Sequence, residues 1–489
     1  MQNVNKTVLK HDEAYYQTNK FLWRQRIGYG ISDYACNLAY LLANTYLMFY
    51  YTNCVGLGAG GIGVMFVVSK IIDAVTDYTV GVLADHTNTK MGRFRPWLLI
   101  GAPVLAIGMV LLFSVPVGWD KTAQMVWAFV TYAIFCLGYT IVNIPMLPML
   151  TTLSKSPAER TMLATTRTFF ANFGSLTSSL FVLPMIYFFA GSKTAMGVEL
   201  AKGYRNTNIV LGIAVLVLLC ISVFNTEEIN PPIILEGKEE KRNIFKDMKA
   251  VFTNKYFIMI QINVFSTYLG LLAMYAAIQY YYTYIIKNVS VMSIALTLLT
   301  IVAIPMMMLG AFLNNKKNVD KVKIMQFGNI LNFLGYLILF FNKSALGATL
   351  AICVVGLSWG FRGNMQFAMF SDVCDYGEYK NGRSMAGTQT AVYCFIGKFA
   401  SAAANAVVGA LLVWGAYDAK VLDAALAAGE NLTAMYPRMI TSINLSFAGV
   451  GMVTAAICFL SVLGYDLDKK YPAIRKELDE RRAKIEKTE

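Results

Sequence analysis

Long apolar stretches recur along the whole chain, and their number and spacing restrict its fold more than any other feature. They lie near 26–52, 57–84, 97–117, 122–152, 161–190 and 206–225. Beyond a polar linker they resume near 256–286, 289–314, 324–342, 346–370, 388–416 and 437–465. A bilayer core about 30 Å thick is crossed by roughly 20 apolar residues in a helix. Inside it each segment must satisfy its own backbone hydrogen bonds, which a helix does and an open strand does not. An all-α membrane protein is therefore expected, with six spans on either side of a hydrophilic linker. Composition agrees: 56% of the 489 residues are apolar and 15% charged, against about 25% charged in a typical soluble domain.

The net charge of +13 raises nucleic acid as a partner, but its placement argues against it. Lys and Arg sit between apolar segments or in the tails, with no basic stripe interleaved with aromatics. Alternate connections divide them unevenly. The N-terminal tail, the 85–96 loop, the linker, the 316–323 loop and the C-terminal tail fall in a set holding about thirty, and the opposite set holds about eight. By the positive-inside rule both termini and the linker are cytoplasmic, in a multi-pass protein of the cell membrane. The domains read as a tail (1–25), a first six-helix bundle (26–225), a linker (226–255), a second bundle (256–465) and a solvated charged tail helix (466–489). The polar first 25 residues do not form a cleavable signal peptide. Eight cysteines lie mostly in apolar segments without a CxxC pair, as buried thiols do. His11 and His86 are too separate for a metal site.

The loop after the second segment carries a spaced motif: Gly81-Val-Leu-Ala-Asp85, then Lys90-Met-Gly92-Arg93-Phe-Arg95-Pro96. Gly92 permits a tight turn, Pro96 opens the next helix, and the charges can pair with helix ends. The motif resembles the signature between the second and third helices of major facilitator transporters. That resemblance implies a major facilitator fold, 12 transmembrane helices in two six-helix bundles.

A charge at bilayer depth costs several kcal/mol unless paired or hydrated, so each is a functional candidate. Asp33, Lys70, Asp73, Asp77, Arg167, Arg362 and Lys398 qualify. Asp73 and Asp77 are four apart and share a helix face. Two adjacent carboxylates repel unless a cation or proton lies between them. Hard oxygens suit Na⁺, the pair can instead share a proton, and Thr76 and Thr140 offer neutral oxygens. The alternative is an internal salt bridge, Asp73 with Lys70 or Lys398. Arg167 presents a planar fork suited to hydroxyl pairs or carboxylates. Asp33 and Asn37 are also four apart, and Asn143 precedes Ile144-Pro145, where a helix can open and free carbonyls. These converging polar groups describe a solute site rather than an enzyme. The chain has no His cluster, no Gly-x-Ser-x-Gly and no phosphate-binding loop, and no cofactor is expected beyond a coupling H⁺ or Na⁺.

In combination these runs resemble the glycoside–pentoside–hexuronide:cation symporter family. Its features are Asp73-Ala-Val-Thr-Asp77 with the arginine-rich loop, YLMFYYTNCVGL at 46–57, YTIVNIP at 139–145, Arg167-Thr-Phe-Phe, and Asp372-Val-Cys-Asp375-Tyr-Gly-Glu378-Tyr-Lys380. The likeness covers about residues 25–465. It implies a sugar or glycoside taken up with H⁺, Na⁺ or Li⁺ by alternating access. The cation carboxylates would be Asp73 and Asp77 with Thr140, the sugar arginine Arg167, and the lysine linking the sites Lys398. Asp372, Asp375 and Glu378 would lie at the cytoplasmic end, where Arg93, Arg95 or Arg160 could pair with them as a gate. A monomer embedded in lipid is expected.

Melibiose-type members have aspartates where this chain has Asn37 and Asn143, and a tryptophan where it has Leu147. Galactoside transport is therefore not expected, and Thr76, in place of an asparagine, weakens the case for Na⁺. Losing two carboxylates while placing Arg362 in the tenth segment makes the cavity more positive. That leaves an acidic sugar such as a hexuronide as an alternative substrate, with a lipid or drug a more distant one.

Overall fold

A computed structural model describes residues 13–116, 118–154, 156–192, 194–229, 251–314, 320–382 and 386–486. Most of the expected linker, at 230–250, lies outside the described residues, as do 1–12 of the first tail. Among the described residues eleven helices are long and apolar enough to cross a membrane. One more long helix, α1 (Asn19–Phe49), carries Lys20, Arg24 and Arg26 in its first turns and Asp33 midway. The others are α2 (Ala59–His86), α3 (Arg95–Leu112), α4 (Lys121–Leu153), α5 (Pro157–Ala190) and α6 (Gly197–Asn225). They continue with α7 (Lys255–Tyr280), α8 (Ser290–Asn314), α9 (Lys321–Phe341), α10 (Ala345–Asn381), α11 (Ala386–Trp414) and α12 (Pro437–Ser461). The tail helix is α13 (Leu467–Glu486).

Several helices outrun their apolar segments. The sixth segment starts near 206 by apolarity, but α6 starts at Gly197, and α10 continues past 370 to Asn381. Apolarity reports the thickness of the bilayer, whereas polar turns beyond it still satisfy their own hydrogen bonds as helix.

The chain divides into two compact units, the first centred on α1–α6 and the second on α7–α13. In the first unit α1 packs on α5 and α6, α3 on α4 and α6, and α2 on α4. In the second, α7 packs on α11 and α12, α9 on α10 and α12, and α8 on α10. Shifting every helix number by six converts one pattern into the other, so the units are repeats of one arrangement. Close crossings explain particular residues. A Cβ on Gly138 of α4 would come within 2.6 Å of the Leu105 backbone nitrogen on α3.

The repeat extends to detail. Helix α1 runs into a π-helical segment, Tyr50–Val55, and α7 into another, Tyr281–Ile285. Each begins Tyr-Tyr-Thr. In one, the Tyr50 hydroxyl accepts from the Val115 N–H just past α3, at 3.2 Å. In the other, the Tyr281 hydroxyl donates to the Leu339 and Asn342 carbonyls at the end of α9. The same tyrosine thus ties the first helix of each repeat to its third.

The tail is not the solvated helix its charge suggests. Leu467, Ile474 and Leu478 are buried with Tyr256 and Phe257 of α7, Ile324 and Met325 of α9, and Met369 and Val373 of α10. Tyr471 donates to Asp375 at 2.6 Å, Arg475 pairs with the same oxygen at 2.9 Å, and Arg481 donates to the Tyr379 carbonyl. The Asp468 carboxylate accepts the Val322 N–H at the start of α9 at 2.9 Å, and burial raises its pKa above the ordinary 3.8. Helix α13 is a strap across one end of the second bundle, its buried apolar residues Leu467, Ile474 and Leu478 spaced seven and four apart on one face.

Candidate functional site

The first bundle gathers most of the polar groups singled out from the sequence. Arg167 on α5 donates through Nε to Asp33 on α1 at 3.0 Å. Asn37, one turn further along α1, donates to the Asp33 carbonyl at 2.9 Å and to its carboxylate at 3.3 Å. The pair is only partly enclosed, with 24% of the Arg167 side chain and 10% of the Asp33 side chain accessible. The Tyr29 hydroxyl also lies beside the Arg167 guanidinium. A guanidinium has five N–H donors and a carboxylate about four lone-pair sites, more than these contacts use. Both members can therefore still meet hydroxyls of a solute.

Helix α2 carries the other cluster. Lys70 Nζ lies 2.6 Å from Asp73 Oδ2, one turn along the same face. Thr140 on α4 donates to Asp77 Oδ1 at 2.9 Å. The Thr76 hydroxyl donates to the Asp73 carbonyl of its own helix at 3.0 Å. Both readings of Asp73 and Asp77 thus find a counterpart: a salt bridge at the first, a neutral oxygen beside the second.

Asn143 is half-buried on α4, which continues as helix through Pro145 and Pro148 rather than opening there. The two prolines supply no N–H to the carbonyls of Ile141 and Ile144. Sequence reasoning missed Tyr29, fully buried one turn before Asp33, whose hydroxyl donates to the Met146 carbonyl at 3.0 Å. A tyrosine in an apolar run gives no periodic signal of such a bond. Leu147 is exposed.

The arginines expected at a gate are used at helix ends. Arg93 donates to the Ala84 carbonyl near the end of α2 at 3.3 Å. Arg95 donates to the Val223 carbonyl near the end of α6 at 3.1 and 2.6 Å, and to Met91. Arg160 donates to the Ser154 and Thr151 carbonyls at the end of α4. Even-numbered helices of this bundle all finish on the same side, where their last carbonyls lack helical partners and the helix dipole favours positive charge. The loop itself is held by Glu228, just beyond α6. One oxygen accepts the Phe94 and Arg95 N–H groups at 2.8 and 2.9 Å, and the other accepts that of Arg93 at 3.0 Å. Gly92 adopts φ +117° there, and a Cβ on it would lie 2.6 Å from the Glu228 carboxylate. Nothing in the sequence flags a carboxylate more than 130 residues away.

In the second bundle the placements differ from expectation. Arg362 is 3% exposed. Its guanidinium donates to Thr267 of α7 at 2.5 Å and lies 3.6 Å from Cys458 of α12. Gln366, Asn263 and Asn329 extend this polar cluster. The side chain is enclosed and engaged by its own bundle, and nothing in these bonds supports the expectation that it meets a solute. Asp372 pairs with Lys321 of α9, and Asp375 with Tyr471 and Arg475 of the tail. Glu378 and Lys398 are half-buried, on α10 and α11. Among the described residues no group of three or more His, Cys, Asp or Glu is arranged to hold a metal.

Comparison with known proteins places this arrangement. The family described as MFS/sugar transport protein matches residues 28–469. The isoprimeverose transporter of Lactiplantibacillus pentosus is 31% identical over 471 residues, covering 95% of this chain and 93% of that one. The glucuronide carrier protein homolog of Escherichia coli K12 is 27% identical, over 94% and 95% of the two chains. A crystal structure of a D-xylose–proton symporter superposes with a TM-score of 0.59 at 13% identity, over 90% and 98%. A bacterial homologue of the lysosomal transporter Spinster superposes with a TM-score of 0.65 at 11% identity, over 94% and 98%. The two structures share the fold alone. The chain belongs to the MFS/sugar transport family, as a glycoside–pentoside–hexuronide:cation symporter-type member of the major facilitator superfamily: a multi-pass membrane transporter and not an enzyme.

Proposed function

We propose that the protein takes up a neutral glycoside or pentoside together with a monovalent cation, by alternating access. The observation that carries this reading is the pairing in the first bundle. Arg167 and Asp33 form a half-open ion pair suited to sugar hydroxyls, and Asp77 with Thr140 offers oxygens to a cation. Relatives named for isoprimeverose and glucuronide transport support a sugar-like solute. The acidic-sugar alternative draws nothing from Arg362, whose guanidinium is already engaged inside its bundle. On this reading Lys398 links the two sites, Asp372, Asp375 and Glu378 mark the cytoplasmic end, and both termini are cytoplasmic in the cell membrane. The carrier works as a monomer.

Coupling is reciprocal, so cation and sugar raise each other's affinity by the same factor. The test is uptake into proteoliposomes of radiolabelled sugars (isoprimeverose, xylose and glucuronate) under an imposed H⁺ or Na⁺ gradient. Asp77→Asn is expected to insert normally and retain sugar exchange but lose gradient-driven accumulation. Undiminished uphill uptake by that variant would refute the assignment.

A further inference from the structure

We infer that Lys70 is a built-in cation occupying Asp73, and that it selects against metal ions as the coupling cation. The inference rests on the reading of Asp73 and Asp77 as the cation-binding pair.

Three observations carry it. The Lys70 ammonium lies 2.6 Å from Asp73 Oδ2, within contact distance for a charge-assisted bond. Both side chains are largely enclosed, 16% and 7% accessible, so water screens the pair little. The second carboxylate is engaged by a different helix, through the Thr140 hydroxyl on α4. The two acids sit on one face of α2 but are not equivalent, because one is neutralised by its own helix.

The chemistry follows from charge and ligand count. An ammonium brings the same single positive charge to Asp73 as Na⁺ or Li⁺ would. Either ion that takes the Asp73 oxygen held by Lys70 must displace the ammonium and leave it buried without its partner, which is strongly unfavourable. On the remaining oxygens it meets the repulsion of that ammonium at close range. An ion that needs several hard oxygens is thereby confined to Asp77 and Thr140. A proton needs one carboxylate oxygen and pays no such penalty. Lys70 is thus a selectivity residue acting through Asp73, not a ligand of the transported ion.

Cation binding to the purified full-length protein in detergent, without sugar, tests this directly. Thermal unfolding is followed in NaCl or LiCl against choline chloride at equal ionic strength. The wild type is expected to show no saturable shift of Tm with Na⁺ or Li⁺. Lys70→Gln, which removes the charge, is expected to gain a saturable upward shift over the concentration range in which the wild type shows none. Lys70→Arg keeps the charge and is expected to remain indifferent to Na⁺, and Lys70→Gln/Asp73→Asn to lose the gain. A saturable Na⁺ or Li⁺ shift in the wild type overturns the inference by itself, whether or not the variants fold. So does a monodisperse Lys70→Gln protein that ignores Na⁺. Because no sugar is present, these outcomes are separate from gradient-driven uptake by the wild type, whose absence would instead sink the symport reading.

Discussion

Replacing Glu228 by glutamine should open the 85–96 loop without unfolding either bundle. The carboxylate accepts three consecutive N–H groups at the start of α3, two on one oxygen and one on the other. Glutamine can keep the two bonds to Phe94 and Arg95 on its carbonyl oxygen. Its amide nitrogen is a donor and would face the Arg93 N–H, so that bond is lost. A hydrogen bond to a charged group contributes about 1.5–3 kcal/mol. Removing a negative charge from a helix N-terminus costs about 0.3–1 kcal/mol more. A local opening equilibrium should shift by about 2–4 kcal/mol, or roughly 30- to 1,000-fold. Tryptic cleavage reads that population when reclosing is fast. Lys90 is exposed and serves as an internal reference, whereas the Arg93–Phe94 bond leads straight into the capped turn. Cleavage after Arg93, relative to cleavage after Lys90, should rise at least tenfold in Glu228→Gln, with little change in the melting of the whole protein. A ratio within threefold of wild type would show that the carboxylate does not hold the loop.

Other perturbations address the remaining elements. Leu478→Ala empties a 2% exposed position under the tail and should cost about 2–3 kcal/mol, at the lower end for such truncations; faster trypsin release of α13 with transport folds intact would show it. Because burial raises the folded-state pKa of Asp468 above 3.8, its contribution favours docking at low pH and is lost as pH rises through the raised value. Tail protection should therefore strengthen on acidification from pH 7 towards 4, and Asp468→Asn should flatten that response. Asp466, held below 3.8 by Lys470 and Tyr256, acts in the opposite sense only below pH 3.8. Arg362→Met, close in volume, should leave sugar affinity within about twofold and shift stability by less than about 2 kcal/mol, since replacing a buried charge with an apolar group is often neutral; a tenfold loss of sugar affinity in equilibrium binding would return Arg362 to the site. Arg167→Lys should weaken sugar binding by about tenfold or more, because a lysine cannot keep Asp33 and offer further fixed donors at once.

How much of this was legible in the sequence depended on whether the signal was local. Span number, the six-plus-six division and the pairing of Asp73 with Asp77 on one face follow from spacing along single helices. Thr140 as an oxygen for the pair Asp73 and Asp77 was read from its residue type and from family resemblance. The Arg167–Asp33 bond was not read at all, because contacts between helices leave no periodic trace. The burial of Arg362 was not legible for a related reason. Composition shows that a charge lies at bilayer depth but not which way its helix faces, and α10 turns that residue toward α7 and α12. The tail was misjudged because its charges outnumber the spaced Leu467, Ile474 and Leu478 that dock it. The Tyr-Tyr-Thr repeat at 50–52 and 281–283 was in plain view. Aligning the two halves would have exposed it, since each copy makes the same tie to the third helix of its repeat.

The basic residues counted by the positive-inside rule also complete the helices they flank. A positive-inside count treats Arg93, Arg95 and Arg160 as charges that resist crossing the bilayer, for which lysine would serve equally. Their bonds say otherwise. Arg95 spans from the Met91 carbonyl to that of Val223 by using three nitrogens of one planar group, and Arg160 bridges two carbonyls at the end of α4. Gln25 takes the Leu153 carbonyl and the Ile229 N–H takes that of Thr152, so four successive carbonyls from Thr151 to Ser154 are each met from outside the helix. Such termini cannot be left open beside a bilayer, where water is scarce and each orphan carbonyl is costly. A lysine offers donors from a single nitrogen and cannot hold carbonyls on two elements in the same fixed geometry. Arginine rather than lysine at 95 and 160 therefore suits the helix ends, where each side chain bridges two carbonyls.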